Sequence, residues 1–274
     1  MKMCACHDSD FPPEAAKIAG TEGQSDAKAG TGMTNVKPDI FEPHKIDWTP
    51  EYVRRFWDNY SSNPSLEDTY FAKSVGRHLI DYVSRRIRIG TAVDFGCGRG
   101  DLIGYLLARH DCYGVDQSPE SVATVNQRFG DHPKFKGAYV DSRDIAKGSA
   151  DTAFAVEVVE HLDDTSLEAL LSGAHRVLKP GGHLVVTTPN EEDLRKSEVM
   201  CPNCGCAFHN MQHVRSWSAE SLSAYLKQFG FHGTARRTML SRRNGFGRFA
   251  HMTLHRTLRR PDGQLIYIGT AVPT

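Results

Sequence analysis

Between residues 91 and 188 the chain alternates short apolar runs with amphipathic segments, and this alternation leaves few folds open. TAVDF, CYGV, KFKGAYV, TAFAVEV and HLVVTT read as strands, several of them apolar on both faces. Helical patterns lie between them, near 100–109, 118–129 and 163–178; the last carries Leu167, Leu170, Leu171, Ala174 and Leu178 on one stripe. Strands of this kind joined by helices predict a mostly parallel sheet covered on both sides. A further helix at 217–230 buries Leu222, Tyr225, Leu226 and Phe229, and 231–274 supplies two or three antiparallel strands at the sheet edge. The expected class is α/β, doubly wound, with about seven strands.

Upstream, order is expected to begin at DWTPEYVRRFWDNY. Thr49 is placed to cap a helix, Pro50 suits its first turn and Glu51 favours its positive end. A second helix over 66–88 sets Tyr70, Val75, Leu79 and Tyr82 near one face, so 46–89 reads as a helical cap before a domain spanning 90–274. Residues 1–45, rich in Gly, Ala, Ser, Thr, Asp and Pro, read as a disordered leader, with Cys4, Cys6 and His7 in a solvated tail. With 274 residues, 39% of them hydrophobic, a sizeable core can be buried. A formal net charge of zero gives no whole-molecule field toward nucleic acid or membrane. No apolar run reaches the roughly 18 residues that cross a bilayer, and MKMCACHDSDF lacks a secretory apolar stretch. Seven cysteines with a CxxC fit a reducing compartment, so a cytoplasmic location is expected.

The first strand of the domain ends in VDFGCGRGD. Gly96, Gly98 and Gly100 make a strand-to-helix turn where backbone approaches a ligand closely. A dinucleotide-type GxGxxG would need glycine at 101, where Asp101 stands and would repel a pyrophosphate on the helix end. The second strand ends at Asp116, an acid able to accept hydrogen bonds from both hydroxyls of a ribose. Together with YVDSRDI, EVVEHL, HRVLKPGGHLVVTTPN and HVRSWSAESL, these residues resemble the class I S-adenosylmethionine-dependent methyltransferases over roughly 90–230. The resemblance implies a Rossmann-like methyltransferase fold that binds S-adenosylmethionine. It sets Asp94, Gly96 and Gly98, with Cys97 between the glycines, along the methionine part of the cofactor. Asp116 would take the ribose, Gln117 would flank the adenine, and Asp141 with Ser142 would meet its edge. Glu157 and His161 would lie under the methyl group. Transfer of a sulfonium methyl is an in-line displacement that needs position above all, and a base where the acceptor is a hydroxyl.

EVVEHL has three readings. Glu157 lies near the cofactor's amino group while Glu160 and His161 pack the turn; or His161 is the general base. The third follows a likeness to small-RNA 3′-terminal 2′-O-methyltransferases, whose similar EVxEH stretch binds a divalent metal together with a later histidine. The matching set here is Glu157, Glu160, His161 and His213. EVxEH-like segments also occur in metal-free small-molecule enzymes of the ubiquinone-biosynthesis type.

Residues 201–213, CPNCGCAFHNMQH, hold three cysteines and two histidines. Cys201 and Cys204 have knuckle spacing, and His209 and His213 are an i, i+4 pair, so the four predict a structural zinc site, with Cys206 left over or replacing a histidine. Unligated cysteines and a redox dithiol are the alternatives. The expected role is a metal-stiffened lid, an insertion over 198–214, at the edge where the acceptor enters. His213 cannot serve both this zinc and the RNA-type cation. From 231 to 260 there are eight arginines and no acid, either a solvated strand face or a site for an anionic or phosphorylated acceptor, a phospholipid surface or RNA. The leading expectation is O-methylation of a polar or sugar-like small molecule; RNA 2′-O-methylation with a divalent cation and a non-catalytic cofactor-binding scaffold are the alternatives.

Overall fold

The computed structural model describes residues 42–63, 65–66, 70–240 and 263–272. The leader through residue 41 and six of the eight arginines, from Arg242 to Arg260, lie outside the described residues; Arg236 and Arg237 are exposed on a strand.

Two compact units form. Among the described residues the smaller comprises 42–47 and Glu198–Phe208. In it β1 (His44–Lys45), β7 (Glu198–Met200) and β8 (Cys206–His209) make a three-stranded sheet, His44 pairing in parallel with Cys206. Residues 44 and 45, assigned to the leader from composition, are thus a strand edge.

The larger unit holds the described residues of 48–197 and 209–272. Its helices are α1 (Pro50–Ser62), α2 (Phe71–Ser84), α3 (Asp101–Leu106), α4 (Pro119–Phe129), α5 (Asp164–Val177) and α6 (Ala219–Gln228). Its strands are β2 (Ala92–Phe95), β3 (Cys112–Val115), β4 (Phe135–Tyr139), β5 (Ala150–Val156), β6 (Leu178–Pro189), β9 (Phe231–Thr238) and β10 (Gln264–Ala271). They form one seven-stranded sheet in the order β4-β3-β2-β5-β6-β10-β9. The first five run parallel and β10 runs antiparallel to both of its neighbours.

Period-two alternation decides which face each residue serves. Val93, Phe95, Ala153, Ala155, Leu184, Val186, Leu265 and Tyr267 pack under α5 and α6. Ala92, Phe154, Val185 and Ile266 pack on the other face, against Leu79 and Val83 of α2, Leu102 and Leu106 of α3 and Val125 of α4. With both faces covered, the parallel strands need the apolar runs that the sequence shows. Caps fix the helix starts: Thr49 Oγ1 accepts from Tyr52 N at 3.2 Å, Ser118 Oγ from Ser121 N at 3.2 Å, and Ser218 Oγ from Ser221 N at 3.1 Å.

Two boundaries differ from expectation. The second helix starts at Phe71 instead of 66. The strand β6 starts at Leu178, inside the expected helix end, because LKPGG already pairs: Leu178 lies opposite Ala150, and the register slips before His183 meets Thr152. Of 231–274, the described part supplies two antiparallel strands.

The fully buried Tyr267 donates its hydroxyl hydrogen to the Phe231 carbonyl at 2.9 Å, tying β10 to β9. Tyr267→Phe removes that bond alone and is expected to cost about 1 kcal/mol in denaturant unfolding, with the cofactor affinity unchanged.

Candidate active site

Asp94, Asp116, Asp141 and Glu157 lie at or just past the carboxyl ends of parallel strands. The turn after β2 hangs from β3: Gly96 N and Cys97 N both donate to the Val115 carbonyl, at 2.8 and 3.1 Å. Asp116 then closes it, one carboxylate oxygen accepting from Gly98 N at 2.8 Å and the other from Ser118 N at 2.9 Å. Gly96 and Gly98 have φ of 70° and 48°. A Cβ on Gly96 would stand 2.5 Å from Val158, whereas one on Gly98 would meet only Tyr70, at 3.9 Å. Gly98 therefore leaves backbone bare beneath the Tyr70 ring.

The carboxylates here suit a cation. Asp94 is 3% exposed, and burial, followed by the charges of Asp116 and Asp101, pushes its carboxyl well above the usual range. Burial also raises Asp116, against the two N–H groups that lower it. Such crowding of acids is relieved by a positively charged ligand. The turn therefore fits S-adenosylmethionine: Asp94, Gly96 and Gly98 would line its methionine part and Asp116 would hold its ribose.

Other expected cofactor residues divide. The Cys97 thiol faces the core, 3.0 Å from where a Cβ on Gly114 would be, so only its backbone belongs to the turn. Gln117 is exposed just past Asp116. Asp141 is engaged by Arg143, accepting from its backbone N at 2.8 Å and its Nε at 2.7 Å. The Ser142 hydroxyl packs against α5 at Gly173.

The second half of the site lies past β5. Glu157 takes the left-handed φ of 53°, with its N–H on the Thr187 carbonyl at 3.0 Å. Strain of this kind in a non-glycine residue persists where surrounding contacts impose it, often at functional sites. Burial raises Glu157 to about 7. Glu160 is 1% exposed, and neither of its carboxylate oxygens accepts a hydrogen bond. Burial, and next the charge of Glu157, raises it well above the ordinary carboxylate range. The ligand atoms of Glu160, His161 and His213 lie within 4.8 Å of one another. His161 also has a buried Nδ1 with no partner; burial and then His213 lower it to about 3, so its ring is neutral. A second convergent group, Glu192, His209 and His213, shares His213.

Residues 209–214 are laced to this turn. Gln212, fully buried with φ of 58°, donates from Nε2 to the His161 carbonyl at 3.0 Å and accepts from Trp57 Nε1 at 2.8 Å. Val214 N donates to the Glu160 carbonyl at 2.9 Å. Trp57 stands edge-on to His161, ring centroids 4.7 Å apart.

Three of the four residues of the RNA-type set are thus brought together, with Glu157 beside them. Of the expected zinc set, His213 falls in both convergent groups and His209 in the second. Neither convergent group among the described residues includes a cysteine. Both imidazoles have other partners, since His209 Nδ1 accepts backbone N–H groups and His213 Nδ1 hydrogen-bonds Glu192. Sequence reasoning missed Glu192 and Gln212. Glu192 had a signal, an acid just beyond the end of a parallel strand like Asp116 and Glu157; Gln212 had none.

A model of the methyltransferase domain matches residues 69–235. The chain belongs to this family, in the class I S-adenosylmethionine-dependent methyltransferases. It is 26% identical over 203 residues to a small RNA 2′-O-methyltransferase of Arabidopsis thaliana, covering 62% of this chain and 21% of that protein. It is 29% identical over 162 residues to a ubiquinone biosynthesis O-methyltransferase of Xanthomonas oryzae, covering 55% of this chain and 62% of that one. The chain therefore matches about a fifth of the plant relative and under two thirds of the bacterial one. The fold is that of Burkholderia thailandensis 1,6-didemethyltoxoflavin-N1-methyltransferase with bound 1,6-didemethyltoxoflavin and S-adenosylhomocysteine, at a TM-score of 0.55 with 16% identity, over 84% of this chain and 94% of that one.

Asp116→Ala leaves Gly98 N and Ser118 N without their charged acceptor. S-adenosylmethionine affinity is expected to fall about 10–100-fold by isothermal titration, the 1.5–3 kcal/mol of a hydrogen bond to a charged group.

Proposed function

We propose that this chain methylates the 2′-hydroxyl of a terminal ribose on RNA, with a divalent cation held by Glu157, Glu160, His161 and His213. One observation carries the reading: a wholly buried Glu160 whose two oxygens accept no hydrogen bond, converging with His161 and His213. A buried carboxylate without partners is costly, and a cation is the partner that also uses the adjacent neutral imidazoles. Two carboxylates and two imidazoles suit Mg²⁺ or Mn²⁺ better than a thiol-seeking metal. When bound, such an ion supplies Lewis acidity toward two adjacent hydroxyl oxygens and lowers the pKa of the one to be methylated. S-adenosylmethionine supplies an already activated methyl group. The residues of the chain do the remainder: Asp116 and the Gly96–Gly98 turn orient the donor, and the burial of Glu160 and His161 beneath Trp57 excludes water. The likeness to a small RNA 2′-O-methyltransferase supports this acceptor.

A second reading, O-methylation of a polar small molecule without metal, is favoured by the likeness to a ubiquinone biosynthesis O-methyltransferase. In it Glu160 stays protonated in its buried site and His161 takes the proton.

Incubation with labelled S-adenosylmethionine and a 3′-hydroxyl RNA oligonucleotide separates the two. Methyl transfer is expected to vanish with a chelator, to return with Mn²⁺ or Mg²⁺, and to fail on an oligonucleotide ending in a 2′,3′-dideoxy sugar. Glu160→Gln and His213→Ala are expected to lower kcat/KM by about 1,000-fold or more, the several kcal/mol that a Lewis acid contributes. Chelator-resistant methylation of small diols, with RNA inert, selects the second reading.

For zinc, we assign Cys201 and Cys204 to a site that does not use His213. The turn supports it: Gly205 has φ of 76°, and its N–H donates to the Cys201 carbonyl at 2.9 Å. Elemental analysis is expected to show zinc lost on Cys201→Ser and retained on His213→Ala.

A further inference from the structure

Two clusters of possible ligands share His213, and one imidazole cannot serve both equally. Hydrogen bonding decides between them. His209 Nδ1 faces two backbone donors, Met211 N and His213 N, each at 3.2 Å. An Nδ1 that accepts two N–H groups carries its lone pair there, so in the neutral ring the proton sits on Nε2. That Nε2 lies 3.3 Å from one Glu192 oxygen, an ion-pair distance outside hydrogen-bond geometry. A metal on Nε2 would require the opposite tautomer, with Nδ1–H driven against the two backbone N–H groups. The two bonds at Nδ1 therefore keep the Nε2 proton facing Glu192 and count against His209 as a ligand.

The other Glu192 oxygen hydrogen-bonds His213 Nδ1. Both Glu192 oxygens thus face imidazole nitrogens, the arrangement of a carboxylate that accepts. With Nδ1–H donated to Glu192, His213 keeps its lone pair on Nε2. The His209 and His213 rings stack at 4.4 Å and an interplanar angle of 15°, and the His161 ring lies 4.8 Å from that of His213. Glu192 follows Glu191, whose left-handed φ of 49° and N–H on the Trp217 carbonyl at 2.7 Å set the direction of the chain.

Resting on the cation-bound reading above, we propose that Glu192 and His209 are positioning residues. Glu192 fixes the tautomer and ring of His213 so that Nε2 is offered to the cation shared with Glu160 and His161; His209 holds Glu192 and is not itself a ligand. A carboxylate behind a ligating histidine typically changes metal affinity by about 10–100-fold.

The test is titration of Mn²⁺ alone into the full chain, with S-adenosylmethionine affinity measured on every variant as a check of the fold. Glu192→Ala is expected to weaken Mn²⁺ by about 10–100-fold, Glu192→Gln by less because its amide oxygen still accepts, and His213→Ala to abolish binding, all with the cofactor affinity kept. X-ray absorption of the bound metal is expected to count two imidazoles in the parent and still two in His209→Asn. Undiminished Mn²⁺ affinity in Glu192→Ala, or one imidazole fewer in His209→Asn, overturns the positioning role while leaving the cation site standing. A parent chain that takes up no Mn²⁺ removes the cation site, and this role with it.

Discussion

The hydrogen bond from Gly98 N to Asp116 joins two parallel strands at their carboxyl ends, and the donor half of the site is organised around it. Because Gly96 N and Cys97 N are already anchored on the Val115 carbonyl, the loop between β2 and α3 has little freedom of its own. Its shape is inherited from the pairing of β2 with β3. That pairing is in turn fixed by apolar residues on both faces of each strand, so packing far below the surface sets the position of a few backbone N–H groups at its rim.

The acceptor half is organised by a different force. Glu160 and His161 are polar groups removed from water, a state that a fold tolerates only when something offsets the desolvation. The backbone is bent to bring them there: Glu157, Glu191 and Gln212 are the non-glycine residues with positive φ among those described, and all three border this cluster. Strain, burial and unpartnered oxygens fall in one place, and the proposed cation site rests on that coincidence.

What could be read in advance follows the range of each interaction. The glycine turn, Asp116 and the helix caps rest on neighbours a few residues away, so Gly96, Gly98, Thr49 and Ser118 were legible. The sheet was legible because its strands show as short apolar runs between amphipathic helical segments. Glu192 and Gln212 were not recognised, because their partners are remote: Gln212 meets Trp57 across 155 residues. In the Cys201–His213 segment, spacing alone carries no information on the acid just past β6 that faces His209 and His213.

The link from the Trp57 indole through Gln212 to the His161 carbonyl ties the first helix to the turn after β5. A chain beginning after residue 57 would keep all seven strands of the large sheet, with Asp94, Asp116, Glu157 and Glu160, yet lose the ring that stands against His161. Domain boundaries drawn from the large sheet alone would therefore discard a neighbour of the candidate site.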